Sequence, residues 1–221
     1  AIPSQASPVN RVWYYAGVAS LVGLVLLIYW RVLGFATLNW DDLTYITGNP
    51  LLRAPWRLAW PAILAPGAIP EERLYLPVSY LSLWLEYALT GWRPAWLHGG
   101  NLLLHGLCGW LICRLLAQLG VSAGRRWAVV ALFLFHPLQQ ETVAWVMGRR
   151  DLLAACFGLG ALLIWCRAVA PGDRQRWPWQ ILGLVLFALS LLSKPVLILL
   201  PLALPWFSPA DPAVGHQAST W

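Results

Sequence analysis

Val12-Trp-Tyr-Tyr-Ala-Gly-Val-Ala-Ser-Leu-Val-Gly-Leu-Val-Leu-Leu-Ile-Tyr-Trp-Arg-Val-Leu33 decides the fold class. Its residues are apolar all round a helix, and its one charge, Arg31, stands near the end, where a long side chain reaches the headgroups. About 20 such residues cross the hydrocarbon core of a bilayer, whereas a helix on a soluble protein keeps a polar stripe. Soon after it come Asn39-Trp40-Asp41-Asp42. The chain has only nine Asp plus Glu, so a carboxylate pair at a membrane boundary marks a candidate site. Such a pair binds a cation, acts as a base, or is merely solvated, and an N-cap for a helix from residue 43 is a further structural use.

Composition extends the membrane reading to the whole chain. Hydrophobic residues are 59% and mean hydropathy is +0.62, against roughly 45–50% apolar in soluble domains. Sixteen Trp suit the headgroup zone, where an apolar ring meets water. The net charge of +6 comes from Arg at segment ends rather than along one face, which speaks for membrane topology and against nucleic-acid binding. Cys108, Cys113, Cys156 and Cys166 lie in apolar windows with no CxxC. They are read as small buried hydrophobes, with no disulfide or zinc site implied. The first residues lack the basic start of a secretory signal, so the first apolar stretch is expected to be a retained span. Ala1 at the start and the polar tail after residue 207 are read as marks of a processed or partial chain.

Five to six spans are expected: 12–33, 96–119, 127–137, 151–169, 179–192 and a shorter one over 196–207. The loop 34–95 is rich in Pro and Trp, and its pieces read as interfacial. Residues 76–89, apolar with Glu86 inside, are short for a span and read as a helix lying in the interface, ended by Gly91 and Pro94. Arg114, Arg125 and Arg126 flank one turn, and Arg167, Arg174 and Arg176 another, so both turns should be cytoplasmic. Alternation then brings the Asp41-Asp42 loop, the loop 136–151 and Lys194 to the opposite, extracytoplasmic side. Arg149 and Arg150 on that side break the charge rule, which calls for a partner or a ligand.

Four constellations carry chemistry. Asp41 and Asp42 suit a base or a cation ligand. His136-Pro-Leu-Gln-Gln-Glu141-Thr-Val-Ala-Trp-Val-Met-Gly-Arg149-Arg150-Asp151 joins guanidinium forks fit for a phosphate to carboxylates that orient them or simply neutralise them. His98-Gly-Gly-Asn101-Leu-Leu-Leu-His105 puts Asn101 and His105 on one helix face, with an interhelical hydrogen-bonded stripe as the structural reading. Lys194, the single lysine, can hold a lipid phosphate or snorkel. The acidic residues sit in loops rather than mid-span, which disfavours a transporter.

Together these segments, with Leu76-Pro-Val-Ser-Tyr-Leu-Ser82 and Leu191-Leu-Ser-Lys-Pro195, resemble the membrane portion of the transmembrane and tetratricopeptide-repeat O-mannosyltransferase-like proteins and their bacterial relatives, of the GT-C glycosyltransferase superfamily. The His-Pro-x-x-x-Glu-x-Val…Gly-Arg stretch carries most of it, and the resemblance covers about 35–204. It implies an all-α polytopic membrane protein: an N-terminal tail 1–11, a GT-C-like domain 12–207 whose outer loop 34–95 holds interfacial helices, and a polar tail 208–221 where truncation is expected. It implies a membrane protein of the bacterial inner membrane with its functional loops outside. It further implies transfer of a sugar from a polyprenyl-phosphate donor to an acceptor hydroxyl. Asp41 would be the base, Asp42 an assistant or the ligand of a divalent cation, Glu141 a positioning group, and Arg149 first, Arg150 second, with Lys194, the donor-phosphate ligands. His98, Asn101, His105, His136 and Asp151 would be supporting polar residues. One departure is visible: the family commonly carries Arg-Pro-Leu where this chain has Leu76-Pro77-Val78. The alternative is a non-catalytic accessory subunit, its Trp-rich spans docked in a larger membrane complex.

Overall fold

The computed structural model describes residues 8–37, 41–67, 74–169 and 176–207. Asn39, Trp40, the tail 208–221 and most of the 170–177 loop lie outside them. Among the described residues every regular element is helical. Helix α1 (Pro8–Tyr29) has 22 residues, or about 33 Å at 1.5 Å per residue, enough for the hydrocarbon core. Three further helices are long and apolar enough to cross a membrane: α4 (Pro94–Gln118), α7 (Arg149–Ala168, with the preceding turn from Val146) and α8 (Arg176–Ser193).

Helices α4 and α7 run parallel. Asn101 meets Arg149, Cys108 meets Cys156, and Leu115 is buried with Leu162. The α4 positions are seven apart, the spacing that keeps one seam facing a parallel neighbour. Helix α8 returns along α7, and small residues let the two approach: Ser190 Oγ donates to the Ala154 carbonyl at 2.8 Å, and a Cβ on Gly183 would rest 3.7 Å from Ile164.

Between α4 and α7 lie α5 (Ala123–Phe135) and α6 (Gln139–Ala144). The expected span 127–137 is therefore corrected: α5 begins earlier, takes Arg125 and Arg126 into its first turn, and has 13 residues, about 20 Å. It stops at Phe135 because Pro137 has no N–H to donate. The freed Leu134 carbonyl is met from two sides, by Tyr29 Oη at 3.2 Å and by His105 Nε2 at 3.1 Å. The sixth span, 196–207, is also corrected. It is a series of short turns, Pro195–Leu197, Leu200–Ala203 and Leu204–Phe207, because Pro195, Pro201 and Pro205 repeatedly interrupt the hydrogen-bond ladder.

The described residues between α1 and α4 fold into a cap over the ends where α4 and α7 begin. A wide turn (Leu43–Thr47), a tight turn (Pro50–Arg53), α2 (Trp56–Leu64) and α3 (Pro77–Thr90) pack Ile46, Leu52, Ile63 and Leu83 against Leu97 of α4 and against Val146 and Met147. Trp84 Nε1 ties α3 to the Ala54 carbonyl at 2.9 Å, and Ser79 Oγ ties it to the Ser193 carbonyl at 2.9 Å. As expected, α3 is short, and it ends at Gly91, whose φ of +71° suits glycine. Arg114 and Arg167 lie near the far ends of α4 and α7, away from this cap.

Candidate functional site at the start of α7

Three consecutive residues at the N-terminus of α7 reach in three directions. Successive helical residues are about 100° apart, so Arg149, Arg150 and Asp151 diverge towards α3 and α4, the Asp41 segment, and the end of α8. Two cations at a helix N-terminus oppose the helix dipole, and each is met by a carboxylate.

Arg149 is 3% exposed, and each of its three side-chain nitrogens has a protein partner. Its Nε donates to Asn101 Oδ1 at 3.0 Å, its Nη2 to the Leu97 carbonyl at 2.8 Å, and its Nη1 pairs with the Glu86 carboxylate. Asn101 is equally used, since its Nδ2 donates to the carbonyls of Trp145 at 2.8 Å and Val146 at 3.3 Å. Gly100 gives this cluster room: a Cβ there would stand 2.7 Å from the Glu86 carboxylate. Removing one partner of a buried ion pair costs about 3–5 kcal/mol, so Arg149 holds the cap to the bundle.

Arg150 has a different environment. Its Nη2 lies 3.5 Å from Asp41 Oδ2, with the two side chains 11% and 29% exposed. Its Nε donates to the Met147 carbonyl at 3.3 Å, and its guanidinium lies 5.7 Å from the Trp145 ring centroid. Asp42, the other member of the carboxylate pair, is fully buried, and its Oδ1 accepts the Met147 N–H at 3.3 Å. One carboxylate thus faces the rim and its neighbour fastens the turn before α7. Asp151 Oδ1 and Oδ2 accept from Lys194 Nζ at 2.7 and 2.8 Å, with side chains 35% and 27% exposed. The arrangement offers a rim carboxylate, a rim guanidinium and an ammonium at one end of the bundle, the groups needed to hold an anion and accept a proton.

Curated relatives share much of this sequence. Protein O-mannosyl-transferase TMTC3 of Homo sapiens is 29% identical over 184 residues, which is 79% of this chain and 19% of that protein. Protein O-mannosyl-transferase TMTC1 of Mus musculus is 34% identical over 167 residues, 71% of this chain and 17% of the relative. Protein O-mannosyl-transferase Tmtc2 of Drosophila melanogaster is 31% identical over 186 residues, 79% of this chain and 20% of the relative. The chain is a homologue of the TMTC O-mannosyltransferases. It spans about a fifth of the length of these TMTC relatives. No family profile matches the chain, and no solved structure does.

Within this TMTC homologue the expected site residues divide. Asp41, Asp42, Arg149, Arg150, Asp151 and Lys194 gather at one end, as does Asn101 through Arg149. Arg149, expected as the first phosphate ligand, is committed to Glu86, Asn101 and Leu97, whereas Arg150, largely buried itself, is the arginine that faces Asp41. Asp42 is committed to the turn, and among the described residues no three His, Cys, Asp or Glu gather as a metal cluster. Glu141, expected to position the arginines, is exposed on α6, and Glu86 has that place instead. His136 Nδ1 accepts the Leu138 N–H at 3.2 Å and closes its own turn. His105 serves the interhelical stripe, its ring against Tyr29 and Phe133. His98 is buried edge-on to Phe35, just before the segment that leads to Asp41. Leu76, where an arginine is expected from the resemblance, is 2% exposed in the core of the cap. Glu86 is the residue the sequence reading passed over. Its signal was there, one charge inside an otherwise apolar helix.

Proposed function

We propose that the chain forms the catalytic end of a lipid-linked glycosyltransferase that moves mannose from a polyprenyl-phosphate donor to a protein hydroxyl on the extracytoplasmic side of a bacterial inner membrane. Asp41 takes the proton of the acceptor hydroxyl as its oxygen bonds to the sugar anomeric carbon. The bond from that carbon to the phosphate oxygen breaks, and its electron pair leaves with the phosphate, where Arg150 and Lys194 meet the charge. Mannose and the protein acceptor come from the names of the relatives.

The observation that carries this reading is the contrast between the two arginines. Arg149 is spent on buried partners, while Arg150 faces a half-buried carboxylate across 3.5 Å. The 3.5 Å separation exceeds that of a well-formed charge-assisted bond, so a phosphate can compete with Asp41 for Arg150. The protein reconstituted in liposomes with polyprenyl-phosphate mannose and a Ser/Thr-bearing peptide should transfer the sugar. Undiminished transfer by Asp41→Asn would remove the base from the scheme.

A second reading, an accessory transmembrane subunit, is favoured by α8, which leaves Ile181, Leu184 and Val185 exposed. In that case the chain should co-purify with a larger membrane assembly in mild detergent and show no transfer alone.

A further inference from the structure

Asp41 sits where a donor phosphate would have to go. Its Oδ2 lies 3.5 Å from Arg150 Nη2, longer than the roughly 2.7–2.9 Å of a well-formed charge-assisted bond. The remainder of the Arg150 side chain is fixed independently, by the Met147 carbonyl and the face of Trp145. The fork is therefore positioned before any anion arrives, and Asp41 occupies it loosely from the rim. A phosphate oxygen carries more charge and fits the fork better than this off-distance carboxylate.

We propose that Asp41 and the donor phosphate compete for Arg150, and that donor binding switches Asp41 from counter-ion to base. This rests on the donor reading above and adds an order to it. Before donor binds, Asp41 is paired with Arg150. Once the phosphate takes the guanidinium, the carboxylate is released from its cation and turns to the acceptor hydroxyl. The acceptor hydroxyl is thus activated only when a sugar is in place to receive it, and water gains little from an enzyme without donor.

Competition has an uncommon consequence: removing the proposed base should strengthen donor binding. Farnesyl phosphate and farnesol, which share a prenyl tail and differ in the phosphate, are the probes, measured by equilibrium binding to the detergent-solubilised full chain. Wild type should prefer farnesyl phosphate. Asp41→Asn should bind it about fivefold tighter, with farnesol unchanged. Arg150→Gln should lose the preference, and the double variant Asp41→Asn/Arg150→Gln should match Arg150→Gln, because the gain runs through that guanidinium. Asp41→Ser repeats the test with a side chain that cannot mimic the carboxylate shape, and an unaltered elution profile identifies folded variants. Phosphate selectivity in wild type with no gain in folded Asp41→Asn or Asp41→Ser overturns the exchange alone. Equal binding of farnesyl phosphate and farnesol by wild type overturns the phosphate reading of the site, and the exchange with it.

Discussion

Glu86 and Arg149, 63 residues apart in the chain, close a largely buried ion pair that joins α3 of the cap to the first turn of α7. The pair places a cap helix against the bundle at the point where Arg150 and Asp151 emerge. The site residues inherit their positions from it.

Breaking this pair from one side should be costly. Glu86→Ala leaves a buried guanidinium without its counter-charge and should lower stability by about 3 kcal/mol. Replacing both partners with apolar residues, Glu86→Leu with Arg149→Met, should restore much of the loss, since no charge remains unpaired. Denaturant unfolding in detergent reads both values. A double variant as unstable as Glu86→Ala would show that the pair acts through geometry rather than charge.

The glycines of the bundle should separate cleanly. A Cβ at Gly100 stands 2.7 Å from the Glu86 carboxylate and 3.2 Å from Arg149 Cζ, so Gly100→Ala must displace the ion pair. Gly124, in the first turn of α5, has open space around the same position. Gly124→Ala should stabilise by about 0.4–1 kcal/mol through the unfolded chain. Thermal unfolding should move in opposite directions for the two, and a neutral Gly100→Ala would contradict the packing described.

The parallel seam of α4 and α7 can be tested by chemistry. The thiols of Cys108 and Cys156 are 3.2 Å apart, and each also approaches a carbonyl of the opposite helix, Leu152 and Leu104. Oxidation with copper phenanthroline should join them within one chain and leave Cys113 and Cys166 as thiols, counted after denaturation. Four free thiols after oxidation would place the seam out of register.

The Lys194–Asp151 pair should matter more to activity than to stability. With side chains 27% and 35% exposed, it should contribute under about 1 kcal/mol to unfolding. Lys194→Gln should leave the unfolding midpoint almost unmoved and weaken use of a polyprenyl-phosphate donor, as a raised KM in the transfer assay. A change in stability with unchanged KM would make the lysine a structural tie.

Much of this was legible in one dimension. Long apolar windows dictate helices because no other lone segment satisfies its backbone in lipid. Pro137 and Pro195 end helices because they cannot donate, and Gly91 ends α3 because its φ is positive. Alternation of spans also gathers Asp41, Arg149, Arg150, Asp151 and Lys194 at one end, as the fold does. Less legible were α5, which begins at Ala123 rather than near residue 127, and the proline-broken stretch after Lys194.

The sequence by itself determined the class, an all-helical membrane protein with its chemistry at one end, because burial in lipid acts on each segment separately. Only the tertiary structure decided which arginine pairs with Glu86 and Asn101 and which faces Asp41, and which of Asp41 and Asp42 faces the rim. Adjacent residues on a helix point about 100° apart, and what each meets is set by Glu86, Asn101 and Asp41, groups brought from distant parts of the chain by packing.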